Sequence, residues 1–156
     1  MRRRLTRSAL AAFAAAGSAA LLAGALVFQA LGYAPCPLCL WQRWPHLAAI
    51  AIGVLAVFIP RRGLLWLGAL AAATSGAIGL YHTGVERGWW QGPSSCTAST
   101  VRGLSSGELL NQIMAAPLIR CDEVAWQMLG LSMASWNLLA SLALAGVWLW
   151  AAARPA

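Results

Sequence analysis

The chain has 156 residues, of which 60% are hydrophobic and only 10% are charged. Soluble domains carry roughly 25% charged residues, so this composition excludes an ordinary soluble protein and predicts an integral membrane protein. All eleven basic residues are arginine, and the net charge is +7. These arginines flank apolar segments and do not form a basic stripe with interleaved aromatic residues, which argues against nucleic-acid binding.

Four apolar segments are each close to the roughly 20 residues that a membrane-spanning helix needs. They cover residues 8–31, 40–59, 64–82 and 131–153. The first follows four arginines, as a secretory signal would, but it exceeds the roughly 7–15 apolar residues of a signal. We therefore expect a single domain over residues 1–156, an all-α integral membrane protein built as a four-helix transmembrane bundle.

Arginines mark one side of this bundle. Seven of them lie before the first segment, between the second and third, and after the fourth. The positive-inside rule makes that side cytoplasmic, with both chain termini there. The opposite, outer side receives the short connection 32–39 and the long loop 83–130, which contains all four acidic residues. The four cysteines fall in the same two outer segments, where an oxidising compartment permits disulfides.

Tryptophan also follows the predicted span ends. The chain has nine Trp residues, and this residue type favours the boundary between water and lipid. Six of them lie near predicted ends: Trp41, Trp44, Trp89, Trp90, Trp148 and Trp150. The pattern indicates interfacial anchors, with room for one or two core aromatics.

The long loop contains a signal for one short helix. Ser105 and Glu108 have the spacing of a capping box, and apolar residues follow at helical spacing until Pro117. We expect a short amphipathic helix there. It lies either on the membrane surface or packed on its own protein.

Four cysteines allow three pairings, and we favour Cys36 with Cys39 and Cys96 with Cys121. Pro37 suits the first turn of a helix, and a helix N-terminus favours thiolate. A short pair beside a membrane and a longer pair on a loop indicate thiol–disulfide exchange, from a soluble protein to a lipophilic electron carrier. Purely structural disulfides are the alternative. A zinc site is disfavoured, because the second pair forms no further Cys-x-x-Cys.

Three polar residues near these cysteines are functional candidates. Arg43 lies one turn deeper than Cys39 on the same helix face, where a charge indicates function, here hydrogen bonds to a quinone carbonyl. The alternative is an arginine that anchors the helix end. His82 lies at the outer end of the third segment. It either donates a hydrogen bond or relays protons, or it only anchors the helix end at the membrane interface. His46 is expected to be structural.

The chain resembles the DsbB family of bacterial inner-membrane oxidoreductases over about residues 8–150. The resemblance rests on an ordered set of motifs: Pro35–Arg43, Tyr81–Thr83, then Cys121 followed by Trp126, Leu129–Leu131, Met133 and Trp136. Gln42 departs from the family pattern, because an acidic residue often precedes the arginine. The loop Gly88–Gly92, which is rich in Trp and Gly, is a second departure from the family pattern. Its spacing to Cys96 is expected to affect how a partner docks.

This resemblance implies a direction of electron flow. Cys96 reacts with a reduced periplasmic thioredoxin-like protein of the DsbA type, and Cys121 passes the electrons toward Cys36. Cys39 lies next to a bound ubiquinone or menaquinone. The function expected is reoxidation of the DsbA-type protein by a membrane quinone.

The resemblance also implies a quinone site. Arg43 holds and polarises the quinone, and His82, Trp126 and Met133 line or border it, with no metal involved. Two alternatives remain for the function as a whole. One is a non-enzymatic membrane scaffold with structural disulfides, and the other is a specialised relay with a dedicated partner.

Overall fold

The computed structural model describes residues 6–97, 107 and 120–155. In chain order the elements are α1 (Arg7–Ala30), α2 (Pro37–Phe58), α3 (Arg62–Glu86), α4 (Ser94–Thr97), β1 (Gln127–Met128), β2 (Leu131–Ser132) and α5 (Met133–Ala153). The amphipathic helix predicted after Ser105 lies outside the described residues, apart from the helical Gly107.

Polar side chains satisfy free backbone N–H groups at the start of three long helices. Thr6 caps α1, Cys36 caps α2 and Ser132 caps α5. Pro37 follows directly in the first turn of α2, where its missing N–H leaves no bond unmade. Because of this start signal, α2 begins three residues before the predicted Leu40.

The four long helices form a closed bundle. Helix α1 packs mainly against α2 and α5, and α3 packs against the same two helices. Small residues allow these close contacts, as is usual between membrane helices. Gly53 of α2 lies against Ala15 of α1, and Gly68 of α3 lies against the ring of Trp148 in α5.

Trp148 was predicted to lie at the membrane interface, and the structure corrects this prediction. Its side chain is fully buried in the main core of the bundle, because Gly68 leaves space for the indole ring. Most of the others are well exposed, from 41% for Trp90 to 70% for Trp44. These values agree with contact to lipid or to the interface.

Three helices of the described chain are long and apolar enough to cross a membrane: α1, α3 and α5. Helix α2 has 22 residues but does not join them. Its first half contains Gln42, Arg43 and His46, which lower its hydropathy. The fourth span therefore stays a prediction.

A small hairpin precedes α5, and the all-α expectation missed it. Strands β1 and β2 pair antiparallel, with Gln127 opposite Ser132. The two residues between them have positive φ, 54° at Leu129 and 75° at Gly130. Two positive φ values are typical of a tight two-residue hairpin turn. Because the strand takes Leu131 and Ser132, α5 starts two residues later than the predicted span.

Both ends of the described chain meet at one end of the bundle. The guanidinium of Arg7 donates hydrogen bonds to the backbone carbonyl of Arg154, from Nε at 2.9 Å and from Nη2 at 2.6 Å. Cys36 lies at the other end, beyond the C-terminus of α1. The cysteines are thus separated by the length of the bundle from the contact between Arg7 and Arg154.

Candidate functional site

The first cysteine pair sits at the N-terminus of α2. Cys36 Sγ accepts a hydrogen bond from the backbone N–H of Cys39 at 3.2 Å, and the two sulfur atoms lie 3.0 Å apart without a disulfide. The positive end of the helix dipole lies at the first turn of α2, which contains Cys39, and favours a thiolate there. The hydrogen bond that Cys36 donates to the Cys39 sulfur, together with burial, raises the pKa of the Cys36 thiol.

The second pair, Cys96 and Cys121, is joined by a disulfide, which is the favoured pairing. Both cysteines are buried in one apolar cluster with Cys36. The Cys121 and Cys36 sulfurs and a ring nitrogen of His82 all lie within 4.8 Å of one another. The two cysteine pairs are therefore neighbours in space.

The same three residues offer atoms of the kind that bind metal ions. However, the sulfur of Cys121 is held in a disulfide and is not a thiolate ligand. The cluster thus offers two ligands, whereas structural zinc sites use four. Its composition fits exchange between sulfurs better than metal binding.

The segment that carries Cys96 folds back onto α3. The ring of Trp90 stacks on Tyr81 with 5.9 Å between centroids, and its Nε1 donates to the Tyr81 carbonyl at 2.8 Å. Tyr81 in turn donates its hydroxyl to the carbonyl of Gln91 at 2.9 Å. Gly84 makes this possible, because a Cβ there would collide with the indole. The Trp- and Gly-rich loop thereby fixes where the Cys96 segment starts.

His82 lies between the two cysteine pairs and a buried polar network. Its Nε2 is 3.5 Å from Cys36 Sγ, and its Nδ1 is 3.0 Å from the side-chain nitrogen of Gln42. The Gln42 oxygen accepts a hydrogen bond from Asn137 at 2.7 Å. Helices α2, α3 and α5 each contribute to this network, so it ties the site to the bundle.

Glu86 adds a carboxylate to the site. It accepts a hydrogen bond from Ser132, the residue that caps α5, and its Oε1 lies 3.9 Å from His82 Nε2. The side chain is only 7% exposed. It stands four residues after His82, on the same face of α3. The predicted span ended at His82, so the helical turn that carries Glu86 was assigned to the loop.

A cavity of about 360 Å³ opens beside the cysteines. It brings together all four predicted quinone-site residues with the first cysteine pair: Arg43, His82, Trp126, Met133, Cys36 and Cys39. Small and apolar residues of α1 form much of the remaining wall. A largely apolar cavity of this size, with several polar side chains in its wall, is typical of a site for a small ligand.

Arg43 is held at the wall of this cavity. Its Nη1 donates to the side-chain oxygen of Gln29 at 2.7 Å. Its Nε is buried and has no hydrogen-bond partner among the described residues. Buried polar groups are normally paired, so an unpaired donor at a cavity wall fits a carbonyl oxygen of a bound ligand. The residues present therefore fit a quinone.

Several residues of the site were not predicted from the sequence. Gln29, Asn137 and Glu86 carried no motif, and Gln42 was noted only for the charge that it lacks. Polar side chains at Gln29 and Asn137 inside apolar spans were the available signal, since such residues are rare and often functional. His46, expected to be structural, does bond to Asn137 at 2.9 Å, although it also lines the cavity.

Three apolar helices of spanning length and two adjoining cysteine pairs define a class, the helical membrane proteins with a thiol–disulfide site. A family model described as DsbB, disulfide bond formation protein DsbB, matches residues 6–151. The chain belongs to the DsbB family. This confirms the resemblance, and with the apolar helices it indicates a multi-pass protein of the inner membrane.

Curated relatives agree with the family model. Disulfide bond formation protein B of Stutzerimonas stutzeri is 34% identical over 146 residues, covering 86% of this chain and 87% of that protein. The protein of the same description from Pasteurella multocida is 37% identical over 129 residues, covering 76% and 71%. An uncharacterized protein of Rickettsia prowazekii is 35% identical over 117 residues, covering 72% and 67%. No solved structure matches the chain.

Proposed function

We propose that the protein is a membrane thiol–disulfide oxidoreductase that reoxidises a periplasmic DsbA-type dithiol and passes the electrons to a membrane quinone. One observation carries the proposal. The sulfurs of Cys121 and Cys36 lie within 4.8 Å of each other, and Cys36 and Cys39 line the same cavity as Arg43. The loop cysteine pair, the first cysteine pair and the cavity therefore adjoin one another in that order, as a path for electrons requires.

The first exchange involves the loop pair and the soluble partner. A thiolate of the DsbA-type protein attacks Cys96, forms a mixed disulfide and releases Cys121 as a thiolate. The second partner thiolate then attacks the partner sulfur of that mixed disulfide, and Cys96 leaves. The partner gains a disulfide and the Cys96–Cys121 pair becomes a dithiol, so two electrons have moved.

The second exchange stays within the chain. The Cys121 thiolate attacks Cys36 of a Cys36–Cys39 disulfide, and Cys39 leaves as a thiolate. Cys96 then attacks Cys121 and releases Cys36, which restores the Cys96–Cys121 disulfide. In the structure Cys96 and Cys121 are bonded, while Cys36 and Cys39 are free. This is the arrangement that the second exchange would leave.

The cavity supplies the acceptor site. Arg43 donates to a ligand oxygen, while Trp126 and Met133 provide apolar walls and His82 borders the sulfurs. When bound, a quinone accepts two electrons and two protons. Cys39 is the cysteine beside it, and closing the Cys36–Cys39 disulfide returns the protein to its starting state.

The potentials require such an acceptor. DsbA-type oxidants have potentials near about −120 mV, so glutathione pools at about −200 mV or below cannot withdraw their electrons. A difference of about 30 mV corresponds to about 1.4 kcal/mol for a two-electron couple. A membrane quinone is more oxidising and therefore meets this requirement.

The topology proposed with this function has four spans in one membrane domain, with α2 as the fourth. Both termini lie in the cytoplasm and the cysteines face the periplasm. The contact between Arg7 and the Arg154 carbonyl supports termini on one side. The polar first half of α2 then borders the cavity instead of lipid, because Gln42 and His46 are buried inside the bundle.

An experiment on living cells separates this function from a structural role of the disulfides. Thiols are alkylated in membranes from respiring cells and from cells whose quinone oxidation is blocked. We expect the cysteines to become reduced when quinone oxidation stops. Disulfides that stay unchanged under both conditions would support a scaffold that only braces the outer loop.

A second experiment identifies the partner. In a Cys121→Ser variant Cys96 is a free thiol, which attacks the disulfide of the oxidised partner and forms a mixed disulfide that residue 121 can no longer displace; acid quench and alkylation preserve this adduct. Mass spectrometry of this adduct names the soluble protein. A general oxidase supports the function as stated, whereas a single specialised protein would make this a dedicated relay.

A further inference from the structure

The side chain of Gln42 makes three hydrogen-bond contacts near the cysteines. Its nitrogen Nε2 donates to the carbonyl of Leu38 at 3.1 Å and lies 3.0 Å from His82 Nδ1. Its oxygen accepts from Asn137 Nδ2 at 2.7 Å. The side chain is 6% exposed, so water does not compete for these bonds.

These partners fix which end of the amide is which. The Leu38 carbonyl accepts hydrogen bonds and cannot donate them, so the amide nitrogen must face it. The oxygen of Gln42 then faces Asn137 and requires a donor there. Asn137 meets this need, because its own oxygen is engaged by His46 Nε2 at 2.9 Å on the other side. Each orientation is consistent with its neighbours.

The orientation of Gln42 determines the tautomer of His82. Nδ1 of His82 receives an N–H from Gln42, so in the neutral ring it carries a lone pair and the proton resides on Nε2. Nε2 is the nitrogen that lies 3.5 Å from Cys36 Sγ and 3.9 Å from Glu86 Oε1. Both of these neighbours are hydrogen-bond acceptors when they carry negative charge.

We propose that Gln42 is a positioning residue whose amide holds His82 as the Nε2–H tautomer, so that His82 donates a hydrogen bond to Cys36 when this sulfur leaves as a thiolate. The inference rests on the exchange between Cys121 and Cys36 proposed above.

The release of Cys36 from its disulfide with Cys121 needs no reactant other than the cysteines of the chain. Cys96 thiolate attacks Cys121 in the Cys36–Cys121 disulfide, a Cys96–Cys121 bond forms, and the Cys36–Cys121 bond breaks. The bonding electron pair stays on Cys36. An N–H donor beside this sulfur stabilises the new charge, whereas the other tautomer would present a lone pair to it.

The tautomer can be observed directly in the full-length protein. The chain has only two histidines, His46 and His82, so nitrogen NMR of a histidine-labelled sample in lipid nanodiscs gives two ring systems. A His46→Gln variant assigns them. We expect the proton of His82 on Nε2 in the wild type and on Nδ1 in Gln42→Glu, because a carboxylate only accepts. A wild-type His82 protonated on Nδ1 would overturn the proposal.

The effect on the leaving sulfur is measured in a variant with one possible disulfide. Cys39→Ser combined with Cys96→Ser leaves Cys36 and Cys121, and reduction of their bond by dithiothreitol is followed by acid quench and alkylation. Adding Gln42→Met should slow the reduction about 3- to 10-fold, in proportion to a partly lost hydrogen bond.

Ser141→Ala is the matched control for this rate. Ser141 contacts Asn137 and His46 but not Gln42, so the same network is disturbed without touching the amide that faces His82. We expect a change of less than about twofold. Equal slowing by both substitutions, or no slowing by Gln42→Met, would overturn the positioning role.

Neither measurement contains a quinone or a soluble partner. A chain that shows the expected tautomer and rates but transfers no electrons to quinone would contradict the proposed function and leave this inference intact. A chain that reduces quinone at normal rates while His82 carries its proton on Nδ1 would contradict the inference on Gln42 and leave the proposed function intact.

Discussion

Two neighbouring cysteines at the N-terminus of α2 have different surroundings. Cys36 is 4% exposed and faces His82 and the disulfide of the loop. Cys39 lies one helical turn above Arg43, and both line the cavity. The different positions fit a division of labour in which Cys36 exchanges with Cys121 and Cys39 serves the acceptor.

Replacing Cys39 by serine tests this division. We expect quinone reduction to fall below detection, because the cysteine beside the acceptor site is gone, while Cys96 still forms a mixed disulfide with the partner. Absorbance of the quinone and non-reducing gels measure the two activities on one sample. Normal quinone turnover in Cys39→Ser would contradict the assigned order, and Cys96→Ser serves as the variant that should lose both.

Arg43 provides the second prediction at this scale. Arg43→Ala should raise the KM for ubiquinone-1 by about 10- to 100-fold, since a hydrogen bond from a charged donor contributes about 1.5–3 kcal/mol. The KM for the reduced partner protein should change less than about threefold. Arg61→Ala is the control, because Arg61 is exposed at the opposite end of the bundle. Equal loss toward both substrates would favour an arginine that merely anchors the helix.

At the scale of elements, the contact between α3 and α5 depends on a glycine. A Cβ at Gly68 would overlap the ring of Trp148, which is completely buried and cannot move aside freely. Gly68→Ala should therefore destabilise the protein by about 1–3 kcal/mol, the usual range for overpacking. Thermal unfolding in one detergent measures the change.

Gly63→Ala is the matched control for this contact. Gly63 lies in the first turn of the same helix, and a Cβ there would meet no atom within 4 Å. Its replacement should leave stability unchanged or raise it, because alanine favours the helix. A Gly68→Ala variant as stable as Gly63→Ala would show that the α3–α5 interface is not packed as described.

The hairpin before α5 contains a strained residue. Leu129 has φ of 54°, a left-handed conformation that costs a residue with a Cβ about 1–2 kcal/mol. Leu129→Asn should raise stability by roughly 0.5–1 kcal/mol, since asparagine tolerates this region better. Gly130→Ala should act in the opposite direction, because φ is 75° there. Chemical denaturation in a single detergent distinguishes the two, and a destabilised Leu129→Asn would contradict the turn geometry.

The elements also show why sequence patterns succeeded where they did. Apolar length predicted α1, α3 and α5 to within a few residues, because a membrane helix is defined by its hydropathy. The hairpin was missed, since Leu129 gives no sign of a positive φ. The hydrogen bond between Gln42 and Asn137 could not be predicted from the sequence for another reason. They lie 95 residues apart, and only the packing of α2 on α5 brings them together.

For the molecule as a whole, the bundle separates two ends with different chemistry. One end holds the contact of Arg7 with the Arg154 carbonyl, and the other holds the cysteines, the cavity and the buried pair of His82 and Glu86. The order of motifs in the sequence sufficed to identify the family. The resemblance assigned Arg43, His82, Trp126 and Met133 to one site, and the fold places all four in the wall of one cavity.

Under the proposed function, electrons pass from a soluble dithiol through this chain to a quinone. This electron transfer is measured with the full-length protein in lipid nanodiscs and excess reduced DsbA-type protein, with and without ubiquinone-1. We predict one quinol formed for each partner disulfide formed, over many turnovers, and arrest without quinone once the cysteines of the chain are reduced. Partner oxidation that continues equally in quinone-free nanodiscs, or that yields no quinol, would contradict the account.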